Sequence, residues 1–356
     1  MAEALYLLYR PKTFDDVVGQ IYVVQTLIGS LGAGNANHAY MFSGPRGTGK
    51  TTLARIVAAS VNCLGSNLAC GHCDSCVAVQ NGSHPDVLEM DAASNRGIND
   101  IRELRERVRY LPVWGKRKVY ILDESHMLTT EASNALLKTL EEPPAHVIFI
   151  LATTELHKVI PTIRSRCQPF AFRLVSDKDI LGVLTKIDRE CNFQVPKSTL
   201  DYVVTEAKGS VRDAISLLDL ISGLDLRDVD RVRYLMGRVN YSKVGDFVSC
   251  LGERNAGKAV TFIEQAYQGS ADMHLLKQDV VVWLRGLAHV AVGTNFSHPM
   301  LKRMRDQALD FKLSDLVVCL EKFTNKDESS CPFLPQLSLE LPTIDAILSM
   351  QPVEDF

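Results

Sequence analysis

The stretch His38 to Leu53, HAYMFSGPRGTGKTTL, decides the fold. An apolar run, Ala39 to Phe42, enters a glycine-rich turn that fits G-x-x-x-x-G-K-[ST] over Gly44 to Thr51, and a helical pattern follows at once. Strand, loop and helix in this order are what a phosphate cradle needs. Gly44, Gly47 and Gly49 let the backbone turn where a Cβ would block it, so that successive N–H groups converge on phosphate oxygens at the helix N-terminus. The cradle is read as Gly44, Pro45, Arg46, Gly47, Thr48, Gly49, Lys50, Thr51 and Thr52. Lys50 is placed to reach the β and γ phosphates, and the Thr51 hydroxyl to ligate Mg²⁺.

Outward from the cradle, Lys118 to Glu124 (KVYILDE) is an apolar run of strand length that ends in adjacent carboxylates. A buried parallel strand would carry them to the rim where the phosphate loop lies. Asp123 is expected to hold Mg²⁺ and Glu124 to polarise the water that attacks the γ phosphate. The next apolar strand, Val147 to Leu151, runs into Ala152-Thr153-Thr154-Glu155, where Thr154, or failing it Thr153, is positioned to bond the γ phosphate or that water. With Asp86 to Met90 and Phe170 to Arg173, these segments make five strands separated by helical or loop stretches, an α/β sheet covered on both faces. Before the cradle, residues 8–37 read as an αα lead-in in which Asp15 caps a short helix. Tyr9, Arg10, Val17 and Val18 are candidates to line the base pocket.

Cys63-x6-Cys70-x2-Cys73-x2-Cys76 interrupts the chain after the cradle helix. Four thiolates at such spacings suit tetrahedral Zn²⁺ and leave no open position, so the ion is expected to be structural. The other cysteines, Cys167, Cys191, Cys250, Cys319 and Cys331, are scattered and read as free thiols. Residues 94–110, helical and carrying five arginines, read first as a solvated face with Glu103 and Arg107 paired at i, i+4, and second as a basic stripe for a phosphate backbone.

At 356 residues the chain exceeds one ordinary core. Its 39 Lys+Arg against 42 Asp+Glu give no global attraction to nucleic acid, so DNA contact needs locally placed cations. No apolar run approaches the roughly 20 residues of a membrane span, and no signal-peptide layout opens the sequence; a cytoplasmic location is expected. From Ser176 onward helical periodicity takes over, with helices at 177–190, 197–207 and 210–221. Ser210 suits an N-cap, and Arg212 in that first turn works against the helix dipole, a hint that it reaches a bound nucleotide. Residues 241–350 are again helical, with apolar stripes at 280–287 and 313–323 and a loop at 325–335.

Together these motifs resemble those of the bacterial clamp-loader ATPases of the AAA+ class, the gamma/tau subunits of DNA polymerase III. The resemblance rests on YRPKTFDDVVGQ (9–20), GPRGTGKT (44–51), the four-cysteine insertion, DAAS (91–94), LDESHML (122–128), NALLKTLEEPP (134–144), ATTE, SRC (165–167) and GSVRDA (209–214). It implies an AAA+ nucleotide-binding domain with a parallel five-stranded sheet at 1–175 (zinc insertion 63–76), a helical lid at 176–240 and an α-helical oligomerisation collar at 241–356. Thr154 resembles the first sensor and Arg212 the second, while Arg166 looks like an arginine finger for the neighbouring subunit. Arg96 and Arg102 become candidate contacts to DNA phosphates.

The implied cofactors are ATP, Mg²⁺ and structural Zn²⁺. The implied partners are delta, delta-prime and further gamma/tau copies, the sliding clamp and primer-template DNA, within a nucleoid-associated replisome. Longer members continue into a tail that reaches polymerase and helicase, and the sequence here stops at Phe356. Two other readings share part of the motif set. A non-hydrolysing scaffold of the delta-prime type is opposed by the intact Lys50, Thr51, Asp123 and Glu124; a branch-migration motor is opposed by the zinc insertion and the Ser-Arg-Cys motif.

Overall fold

The computed structural model describes residues 4–65, 68–224, 228–294, 296, 298–325 and 333–350. Cys331 and most of the loop expected at 325–335 lie outside them. The chain divides into two compact units, Met1–Asp225 and Leu226–Phe356.

The first unit is built on five parallel strands: β1 (Ala39–Ser43), β2 (Val87–Asp91), β3 (Lys118–Asp123), β4 (Val147–Thr153) and β5 (Gln168–Ala171), in the order β2-β3-β4-β1-β5. β1 and β4 are buried along their whole length, as parallel strands covered on both faces must be. Alternate side chains feed two cores. Tyr40, Phe42, Ile148 and Ile150 pack with Leu27 of α2 (Ile21–Gly32) and with Leu53 and Val57 of α3 (Lys50–Val61). On the other face, Met41, Tyr120, Leu122, Phe149 and Leu151 pack with Leu104 of α5 (Ile98–Val108) and Leu136 of α6 (Thr130–Glu141). α1 (Leu5–Leu8) precedes α2, and the short helices α4 (Asp74–Gln80) and α7 (Pro161–Arg164) pack on α3 and α6. After them come α8 (Asp177–Cys191), α9 (Lys197–Ala207) and α10 (Val211–Gly223).

Several local expectations shift. The basic helix begins at Ile98 rather than at residue 94, because the Asp91 carboxylate takes the Ala93 N–H and the Ser94 hydroxyl and holds that turn out of the helix. The last strand lies at Gln168–Ala171, not 170–173. Pro169, which lacks an N–H, is accommodated because β5 is an edge strand, and the Gln20 side chain takes over the backbone of Arg173 at 2.7 and 3.2 Å. Asp15 caps nothing in the turn at Phe14–Asp16; the Asp16 carboxylate accepts the Thr13 N–H and hydroxyl instead, at 3.0 and 2.8 Å. Ser210 does cap α10, accepting the Asp213 N–H at 3.2 Å.

The second unit is helical: α11 (Val229–Leu235), α12 (Tyr241–Gly252), α13 (Ala256–Gln268), α14 (Met273–Ala291), α15 (Leu301–Gln307), α16 (Leu313–Thr324) and α17 (Leu337–Ser349). The expected stripes supply its core through Val280, Trp283, Leu284, Leu287, Leu316, Cys319 and Phe323. Trp283 donates its indole N–H to buried Gln307 at 2.8 Å. No described helix is long and apolar enough to cross a membrane.

Candidate nucleotide cleft and zinc cluster

The C-terminal ends of β1, β3 and β4 meet along one rim. The loop leaving β1 bends through Gly47 (φ +74°) and Gly49 (φ +96°), backbone conformations that exclude most side chains. A Cβ on Gly47 would fall 1.8 Å from the Ser210 hydroxyl, so the loop runs against the cap of α10. Lys50 is buried and donates to the Gly44 and Pro45 carbonyls at 2.9 and 2.8 Å. Burial lowers its pKa, and the nearby Glu124 and Asp123 carboxylates counter that. Thr51 donates its hydroxyl to Asp123 at 2.6 Å. A hydroxyl and a carboxylate oxygen converging on one point are the hard donors that Mg²⁺ accepts.

Glu124 takes a left-handed backbone (φ 46°, ψ 43°), a strained turn that a non-glycine residue adopts only when its surroundings enforce it. Its carboxylate accepts the Thr154 hydroxyl at 3.0 Å and lies 3.4 Å from Nδ1 of buried His126. The two threonines differ in what they face. Thr153 is fully buried, facing His126 at 3.0 Å and accepting the Glu155 N–H, whereas Thr154 faces Glu124.

A cleft opens over this rim, lined by Arg46, Gly47, Thr48, Gly49, Lys50, Thr51, Thr52, Asp123 and Glu124. Tyr9, Arg10, Val17 and Val18 wall one side, and Arg212 reaches in from α10. Arg10 is half-buried, its pKa lowered by burial and by the like charges of Arg55 and Arg212. Sequence reasoning missed Tyr6, Pro11, Asp16, Val183, Val211 and Ile215, which also line the cleft. Tyr6 stands three positions before Tyr9, a helical spacing that carried the signal; Val183 and Ile215 are ordinary apolar positions of α8 and α10 and carried none.

Other expected residues stand apart. Gly44 and Pro45 contribute carbonyls to Lys50 rather than surface to the cleft, and Gly44 abuts Phe172, whose carbonyl oxygen a Cβ would meet at 2.4 Å. Arg166 does not line the cleft; it pairs with Glu141 at 2.5 Å on the outer surface. Arg96 falls in the turn before α5 and Arg102 on its exposed face, so they do not share one helical stripe. Along α5, Arg107 pairs with Glu103 at 2.6 Å as the i, i+4 spacing anticipates.

Cys63, Cys70, Cys73 and Cys76 converge, with all four sulfurs within 4.8 Å of one another. The pairs Cys63–Cys73 and Cys70–Cys76 stand 4.0 and 3.9 Å apart, close to the roughly 3.8 Å edge of a tetrahedron with Zn–S bonds of about 2.3 Å. The N–H groups of Gly65, Cys73 and Cys76 donate to the sulfurs of Cys63, Cys70 and Cys73. Burial opposes ionisation of Cys73, but the amides of Cys76 and Leu64 outweigh it and bring the thiol down to about 6. Such a donor set fits Zn²⁺, and the cluster packs into the same core as α3.

A parallel sheet with a phosphate loop leaving β1, a carboxylate pair leaving β3 and an arginine entering from α10 defines a P-loop nucleotide-binding protein of the AAA+ class. A family model described as DNA polymerase III, delta subunit, matches residues 19–176. DNA polymerase III subunit tau of Bacillus subtilis (strain 168) is 43% identical over 290 residues, covering 80% of this chain and 51% of that protein. DNA polymerase III subunit gamma of Buchnera aphidicola subsp. Baizongia pistaciae (strain Bp) is 37% identical over 285 residues, covering 79% of this chain and 76% of that protein. The chain belongs to the family of DNA polymerase III gamma/tau subunits. It spans about half the length of curated relatives such as the Bacillus subtilis tau subunit. A solved structure of the Thermotoga maritima RuvB Holliday junction branch migration motor aligns with TM-score 0.48 at 20% identity, over 65% of this chain and 72% of that one, too remote to bear on the argument.

Proposed function

We infer that this chain is the ATP-hydrolysing subunit of a DNA polymerase III clamp loader. The observation that carries the reading is the gathering of Lys50, Thr51, Asp123, Glu124 and Arg212 around one cleft that Arg166 does not reach. Lys50 and the loop amides bind the phosphates, Glu124 polarises the attacking water, and Thr154 holds Glu124 in register. Thr51 and Asp123 would hold Mg²⁺, which supplies charge neutralisation at the β and γ phosphates. Arg212 contacts the γ phosphate within the same subunit. Arg166 serves the cleft of a neighbouring copy, and a charge delivered in trans can be worth roughly 10³ to 10⁵ in rate.

ATP aligns the subunits, the aligned ring opens and holds the sliding clamp, primer-template DNA completes the alignment, and hydrolysis releases the clamp. The nucleotide-binding domain is assigned to 1–175, the lid to 176–240 and the collar to 241–356, where delta, delta-prime and further gamma/tau copies bind. Arg96 and Arg102 contact DNA phosphates, Zn²⁺ on the four cysteines holds the insertion, and the assembly works in the cytoplasm at the replisome. The measurement is steady-state ATP hydrolysis: the rate is low for the chain alone and rises when partner subunits, clamp and primed DNA are all added. A rate indifferent to them refutes clamp loading.

A further inference from the structure

Arg212 is exposed at the start of α10 and, among the described residues, its guanidinium has neither a hydrogen bond nor an ion pair. The guanidinium carbon lies 4.9 Å from the centroid of the Tyr6 ring. Both residues line the nucleotide cleft. A ring beneath a guanidinium attracts its charge through the π face and leaves the in-plane N–H donors open, which a carboxylate partner would not do.

The segment that carries Tyr6 is itself fastened to the lid. The Leu5 N–H donates to Asp219 of α10 at 3.1 Å, and the Tyr9 hydroxyl meets the Cys191 sulfur at the end of α8 at 3.3 Å. Tyr6 is thus anchored on both sides, by α10 before it and by α8 after it.

We propose that Tyr6 is the positioning residue for the γ-phosphate arginine: its ring holds Arg212 over the cleft with every donor free, so that the lid distinguishes a nucleoside triphosphate from a diphosphate. The inference rests on the reading of the cleft as an ATP site. Without the ring the exposed guanidinium is free to leave the cleft, and ordering it falls to the γ phosphate itself. ADP lacks the γ phosphate, so the ratio of ATP to ADP affinity cancels any loss that a variant causes to both nucleotides.

The experiment measures ATP and ADP dissociation constants on the full chain for wild type, Tyr6→Ala, Tyr6→Phe, Arg212→Ala and the Tyr6→Ala/Arg212→Ala double variant. Tyr6→Ala should lower the ATP-over-ADP preference, the ratio of the two dissociation constants, by about two- to fivefold. Tyr6→Phe, which keeps the ring, should restore most of that preference, and the double variant should match Arg212→Ala alone because the ring acts only through the arginine. A wild-type preference in Tyr6→Ala beside a reduced one in Arg212→Ala overturns the proposal and spares the ATP site. Additive losses in the double variant also overturn it. An unchanged preference in Arg212→Ala overturns both the role of Arg212 and that of Tyr6.

Discussion

The four-cysteine cluster and the nucleotide cleft lie in the same unit and were both announced by spacing, but they are built in opposite ways. The cluster draws its four sulfurs from one stretch, Cys63 to Cys76, and closes on itself. The cleft draws on the N-terminal segment, the loop after β1, the end of β3 and helices α8 and α10. A closed local site stabilises the fold and has nothing left to exchange with the outside. A cleft assembled from distant segments responds to anything that moves those segments, and that suits it to report on assembly.

Substitutions probe the two sites separately. The largest effect should come from Glu124→Gln, which keeps the shape and removes the carboxylate proposed as the base. Hydrolysis in the assembled loader should fall by about 10² to 10⁴, with ATP affinity and metal content unchanged. Equal loss of ATP binding would show that Glu124 supports the cleft rather than the reaction.

Cys76→Ser should do the converse. Zinc, measured by elemental analysis of purified protein, should fall from one equivalent to below about half. The melting midpoint should drop by about 10 °C, since metal binding is folding energy, while ATP affinity stays within about threefold. Full retention of metal would dissolve the four-thiolate site.

The smallest effect concerns a feature common to neither site. Asp86 is fully buried and accepts the N–H groups of Val113, Trp114 and Gly115, each at 2.7 Å. Burial alone would raise its pKa, but the amides of Gly115, Val113 and Trp114 outweigh it and hold the carboxyl below the usual range. A depressed folded pKa means that the unfolded chain takes up the proton first. The stability that Asp86 contributes is therefore complete above its unfolded pKa of about 3.9 and is lost as pH falls through the folded value. Asp86→Asn should cost about 1 to 3 kcal/mol at neutral pH, and the gap from wild type should close below about pH 4 in a pH series of thermal melts.

Much of this was legible because the chemistry imposes spacing. The glycines and Lys50 must be adjacent to wrap phosphates, the cysteines must be near neighbours to share one ion, and KVYILDE reads as a buried strand delivering carboxylates to a rim. The rest is long-range. That Thr154 rather than Thr153 faces Glu124 depends on the alternation of β4 beside β3, and either threonine fits the sequence pattern. Tyr6 meets Arg212 across more than 200 residues of chain, and Val183 and Ile215 look like any other helix positions until α8 and α10 are in place. The turn at Asp91 that delays α5, and so removes Arg96 from the helix, is decided by side-chain hydrogen bonds that helical periodicity does not register.

The proposed function makes the cleft complete for binding ATP and incomplete for using it. The direct test is Arg166→Ala, measured for ATP affinity in the isolated chain and for hydrolysis in the loader reconstituted with partner subunits, clamp and primed DNA. Affinity within about twofold of wild type, with the assembled rate reduced by roughly 10³ or more, is the predicted result. Loss of ATP affinity in the isolated chain, or an assembled rate equal to wild type, would contradict it.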